Sequence, residues 1–105
     1  MKIAVCSGDG KTISGSLSRF SGYLVYELDD GKVVNTEFRK CAPSRADDTK
    51  YIEDCETILL RSVSPDEKEL LLKKGKEVLI TFKTYPEEAI QSYLKQKYLQ
   101  SNFIH

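Results

Sequence analysis

The sequence predicts an α/β domain built on one mixed five-stranded sheet, order 3-2-1-4-5, with strand 2 antiparallel and helices on its faces. Three observations carry this. Short apolar runs alternate with helix-like segments. An Asp30-Gly31 pair separates two runs rich in aromatic and β-branched residues. A Ser64-Pro65-Asp66-Glu67 stretch marks a helix start between two of the apolar runs.

The elements follow in order. Lys2 to Cys6 contains Ile3-Ala4-Val5 without polar alternation, the pattern of a central strand covered on both faces. A Gly- and Ser-rich loop comes next. Tyr23 to Leu28 reads as the second strand, and Asp30-Gly31 as a tight turn, because Gly tolerates positive φ. The return strand runs from about Lys32 to Phe38. Ser44-x-x-Asp47 then predicts a capped helix carrying Tyr51, Ile52 and Cys55 on one face.

Thr57 to Leu60 is a second buried strand. The helix opened by Ser64 draws its apolar face from Leu70 and Leu71, helped by Leu72, and Gly75 stops it. Lys68, Lys73, Lys74 and Lys76 alternate with acids and read as a solvated face. Glu77 to Phe82 is the third buried strand. Thr84-Tyr85-Pro86-Glu87 opens a last helix with Ala89, Ile90, Tyr93, Leu94 and Tyr98 as its stripe. Strands four and five, each tied to a helix, require right-handed crossovers parallel to strand one. The result is a ribonuclease-H-like topology in a single domain, residues 1–105.

Composition excludes several classes. Sixteen basic and sixteen acidic residues cancel, so no broad field points to nucleic acid or an anionic membrane. No apolar run approaches the roughly 20 residues that span a bilayer, and the start is too short for a signal peptide, so a cytoplasmic location is expected. Cys6, Cys41 and Cys55 are odd in number and widely spaced, which suits thiols in a reducing compartment, with a share in soft-metal binding as the alternative. His105, the single histidine, ends the chain, and no role is assigned to it.

The loop "CSGDGKTISGSLSRF" invites a phosphate-binding reading through Gly10-Lys11-Thr12. A Walker loop needs Gly where Val5 stands and a helix where Ile13-Ser14-Gly15-Ser16 follows. Two-metal nuclease chemistry needs a carboxylate within the first strand, and Lys2 to Cys6 has none. Nucleophilic catalysis through His fails because the only His is His105.

Most of the chain resembles the dinitrogenase iron–molybdenum cofactor biosynthesis family. "MKIAVCSGDGKTISGSLSRFSGYLVYELDDGK" resembles its first strand, glycine-rich loop and strand ending in an acidic-Gly turn. "EDCETILLRSVSPDEKELLLKKGKEVLIT" resembles its Asp-Cys strand, turn into a helix and Lys-Gly step, and "PEEAIQSYL" its closing helix. The resemblance implies a cofactor carrier or accessory domain, with an iron–sulfur or iron–molybdenum-type cluster held by the histidine of a Ser-x-His-Phe-Gly loop.

Here that stretch is Ser14-Gly15-Ser16-Leu17-Ser18-Arg19-Phe20, with Ser16 at the histidine position, Leu17 at the Phe and Ser18 at the Gly; Ser64 replaces a later Gly. A hydroxyl is a poor soft-metal ligand. The candidate binding loop is Ser14, Gly15, Ser16, Ser18 and Arg19, with Lys11 beside it and Cys6 and Cys41 as candidate metal ligands. The expected function is a small non-catalytic binding or carrier protein for such a cluster or a small anion, serving a cofactor-assembly or acceptor protein. The alternative is a ligand-free protein-interaction module. Neither nucleic acid nor membrane is an expected partner.

Overall fold

A computed structural model describes residues 1–13, 22–40 and 48–103, with backbone alone at residues 48, 49 and 98–103. The elements are β1 (Lys2–Ser7), β2 (Gly22–Asp29), β3 (Lys32–Lys40), a short 3-10 helix (Asp48–Ile52), β4 (Thr57–Leu60), α1 (Pro65–Lys73), β5 (Glu77–Ile80) and α2 (Pro86–Phe103). The sheet order is β3-β2-β1-β4-β5. β2 is antiparallel to both β1 and β3, while β4 is parallel to β1 and β5. The predicted fold and strand order are those observed.

Local chemistry accounts for the boundaries. Asp30 and Gly31 both adopt positive φ, 54° and 77°, which the two-residue hairpin turn requires. Ser64 Oγ accepts from Glu67 N–H, and Glu67 Oε1 accepts from Ser64 N–H, closing a capping box on α1 with Pro65 in its first turn. At the other end Lys76 N–H donates to Leu71 O and Gly75 N–H to Leu72 O, with Gly75 at φ 78°. That is a Schellman stop, made possible by glycine.

The sheet separates two apolar layers. On one face Ala4, Cys6, Tyr23, Val25, Ile58 and Leu60 pack with Ile52, Cys55 and Leu71. On the other, Ile3, Val5, Leu24, Tyr26, Leu28 and Leu59 pack with Ile13 and with Ala89, Ile90 and Tyr93 of α2. β1 is covered on both faces, as its unbroken apolar run predicts.

Four details differ from the sequence reading. The helix expected around Tyr51 to Cys55 is a 3-10 turn. Arg39 Nη1 donates to Tyr51 O, the carbonyl an α-helix would offer to Cys55, and Cys55 N–H bonds to Ile52 O instead. The proposed cap at Ser44 lies outside the described residues. α1 buries Leu71 alone, with Leu70 and Leu72 exposed, because three consecutive residues sweep about 200° of a helix. β5 is an edge strand with Glu77 and Ile80 exposed and Val78 and Leu79 half-buried. Lys76 is buried, not solvated: its Nζ donates to Cys55 O at 2.8 Å. No helix among the described residues is long and apolar enough to cross a membrane.

Candidate functional site

β1 delivers the chain to a turn that is closed by its own side chains. Ser7 Oγ donates to Thr12 O at 2.7 Å and accepts from Gly10 N–H at 2.9 Å. Its longer contact, 3.3 Å to Asp9 Oδ1, competes for the same hydroxyl proton. Asp9 Oδ1 accepts from Lys11 N–H at 2.8 Å and Thr12 N–H at 2.7 Å, and Asp9 Oδ2 from Thr12 Oγ1 at 2.9 Å. These donors, the Thr12 amide first, stabilise the carboxylate and lower the Asp9 pKa to about 2. Gly10 sits at φ 76°, where a left-handed residue lets the turn fold back.

The turn therefore carries its own anion. The amides of Lys11 and Thr12, which a phosphate loop would point at a ligand, are committed to Asp9. This gives Gly10-Lys11-Thr12 a structural reason for not cradling a phosphate, alongside the missing glycine and helix.

Both ends of the following segment are anchored. Ile13 N–H donates to Thr84 O at 2.9 Å, and the Ile13 side chain is buried beneath α2. At the far end Gly22 pairs with Ser7 on one side and Lys40 on the other. A methyl placed on Gly22 would lie 2.5 Å from Arg39 O and 2.7 Å from Phe38 Cζ, so only glycine fits between the strands. Phe38 lies over Gly22 and reaches toward Gly10, whose added methyl would meet Phe38 Cδ1 at 3.9 Å. The ring, 42% exposed, shields the two glycines at the mouth of the loop.

β1 and β4 are parallel neighbours whose connections leave in opposite directions, β1 toward β2 and β4 through α1 to β5. In open α/β sheets a crevice outside such carboxyl ends is the usual ligand position. The β1–β4 register ends at Val5↔Leu59, and just past the end of β4 stands Arg61, a half-buried cation whose Nη2 donates to Phe82 O at 3.1 Å. Arg61 and Phe38 were not singled out from the sequence. A lone aromatic on a polar strand beside a glycine was the available signal for Phe38, and the strand-end position for Arg61.

Ser14, Gly15, Ser16, Ser18, Arg19 and Cys41 lie outside the described residues. Cys6 is fully buried in the layer beneath the 3-10 turn. Cys55 is in the same layer, but the pairing Ile3↔Thr57 sets it level with the opposite end of β1. Burial pushes the Cys55 thiol up to about 11, and the nearby Asp54 carboxylate adds to the shift. Asp54 is held well below the usual carboxylate range by hydrogen bonds from Arg39, which grips it bidentately at 2.7 and 2.9 Å, and from Lys2. This ion cluster ties β3 and β1 to the chain before β4. Among the described residues no three His, Cys, Asp or Glu side chains gather in a metal-binding arrangement.

Comparison with known proteins agrees with the fold. The family model described as dinitrogenase iron-molybdenum cofactor matches residues 1–96. The crystal structure of PH0822 superposes with TM-score 0.81 at 17% identity, covering 91% of this chain and 90% of the other. A dinitrogenase candidate from Methanocaldococcus jannaschii, solved by crystallography, gives TM-score 0.76 at 22% identity, covering 91% and 89%. A NifB candidate from Thermotoga gives 0.63 at 18%, covering 90% and 87%. No curated protein matches. The structural likenesses carry the fold, and the family model carries membership: the chain belongs to the dinitrogenase iron–molybdenum cofactor family.

Proposed function

We propose that this protein is a small non-catalytic binding protein that holds a small anionic ligand on the segment between Ile13 and Gly22 and passes it to a cofactor-assembly or acceptor protein. The supporting observation is the Asp9-locked turn at the carboxyl end of β1: with the pairing of Gly22 to Ser7 and the bond from Ile13 N–H to Thr84 O, it fixes the two described ends of that segment. Arg19 supplies charge, and Ser14, Ser16, Ser18 and the Gly15 amide supply hydrogen-bond donors, a donor set suited to an oxyanion.

A cluster held by iron–side-chain bonds needs thiolate or imidazole donors. Position 16 offers a hydroxyl, and Cys6 is sealed in the core. Cys55 is buried as well, and Cys41, a single thiol, lies outside the described residues, so the described residues do not fit that mode of binding. Anaerobic reconstitution with ferrous iron and sulfide tests this. Iron uptake is expected in Ser16→His and not in the natural chain; stoichiometric iron in the natural chain overturns the reading.

The second reading is a ligand-free interaction module. It is favoured by Ile80 and Phe82, large apolar side chains exposed at one edge of the sheet.

A further inference from the structure

The two edges of the sheet are guarded differently. β3 has Lys32 and Lys40 at its ends and a register shift opposite Glu27/Leu28, devices that discourage a further strand from adding. β5 has neither. The lysine before it, Lys76, is 7% exposed and turned inward to Cys55 O. Along its edge Ile80 is 47% exposed and Phe82 85%.

The backbone of β5 is poised for pairing. Glu77 N–H bonds to Glu56 O and Thr81 N–H to Leu60 O, so the odd-numbered residues face β4. The N–H and C=O groups of Val78 and Ile80 consequently point away from the sheet, and no described strand lies on that side. Val78 packs on the α1 face and Leu79 on the α2 face, which fixes the side-chain alternation beyond them.

We infer that β5 is the interface for a second copy of this chain, paired antiparallel about a two-fold axis at Ile80. This register sets the outward-facing groups of Ile80 against those of its symmetry mate and Val78 against Phe82. It places Leu79 opposite Thr81, and Glu77 opposite Lys83, two opposite-charge pairs per dimer. Such self-complementarity is what a two-fold interface demands. Glu77 Oε1 is occupied by Tyr93 and Thr57, leaving Oε2 for the partner's lysine.

On the α1 face, Ile80 and Phe82 of both copies cover one another. On the α2 face, a groove of about 160 Å³ lined by Leu79, Thr81, Tyr93 and Gln96 runs beside the edge that receives the partner's Leu79 and Thr81. Pairing extends the strand through Phe82 and Lys83, replacing the local bonds from Lys83 N–H to Thr81 Oγ1 and from Arg61 Nη2 to Phe82 O. The inference goes beyond the proposed function and is independent of the ligand.

Sedimentation equilibrium tests it. The mass is expected to rise with concentration toward twice 11.9 kDa. Lys83→Glu, at an exposed position, sets carboxylates against each other and is expected to raise the dissociation constant about tenfold. In a Cys41→Ser background, Ile80→Cys is expected to form a disulfide dimer under mild oxidation, since facing hydrogen-bonded residues have a Cα separation of about 5.5 Å. Val34→Cys on the β3 edge is expected to remain uncrosslinked. A monomer at every concentration, a dimer indifferent to Lys83→Glu, or crosslinking at 34 in preference to 80 would each overturn the inference.

Discussion

Gly22→Ala probes the close approach of strands at the mouth of the loop. The added methyl would lie 2.5 Å from Arg39 O, about 0.8 Å inside the shortest ordinary C···O contact. The neighbour is backbone, held in the β2–β3 ladder, so it cannot swing aside as a side chain would. Overpacking of this kind costs about 1–3 kcal/mol, and the lost flexibility of the unfolded chain returns only about 0.4–1 kcal/mol. The net destabilisation is about 1.3 kcal/mol, near 6 °C in Tm for a domain of this size. Thermal melts followed by far-UV circular dichroism measure it. Adding Phe38→Ala removes the contact at Cζ and leaves the carbonyl in place, so the double variant is expected to stay destabilised. A Tm for Gly22→Ala equal to that of the natural chain, or full rescue by Phe38→Ala, would refute the backbone-clash argument.

Three other expectations follow from the same geometry. Leu71→Ala is expected to cost about 2–4 kcal/mol, whereas Leu70→Ala and Leu72→Ala stay within about 0.5 kcal/mol, as urea unfolding will show. Ser64→Ala breaks the capping box and is expected to cost about 1 kcal/mol in the same assay. Asp9 has a folded pKa of about 2, below an unfolded value near 3.9. Its contribution is thus complete above about pH 4 and lost as pH falls through about 2. An NMR titration is expected to place its midpoint near 2, and Asp9→Asn to raise amide exchange at Lys11 and Thr12.

The strand order was readable because its signals are local. Ile3-Ala4-Val5 marks a doubly covered strand, and Asp30-Gly31 sets the hairpin. The features that escaped depend on partners far along the chain. Arg39 captures the Tyr51 carbonyl across 12 positions, a contact no local pattern reveals. Val78-Leu79-Ile80 has the same composition whether the strand is central or at an edge. Lys76 looks solvated until the Cys55 carbonyl appears beside it. At the candidate site, the position of the loop at the end of β1 was legible, and so was its lack of a Walker helix. The Asp9 turn was within reach, since Asp followed three residues later by Thr is a turn-forming pattern. Phe38 over Gly22 needed the register of β3.

The proposed function rests on anion binding by the segment after the Asp9 turn. The most direct measurement is a ¹⁵N NMR titration of the full chain with molybdate, repeated on Arg19→Ala. Saturable shifts confined to residues 11–22 and neighbours such as Arg61 are expected, lost in Arg19→Ala, with the Asp9-bonded amides of Lys11 and Thr12 still protected. Unchanged spectra, or shifts that persist without Arg19, would contradict it.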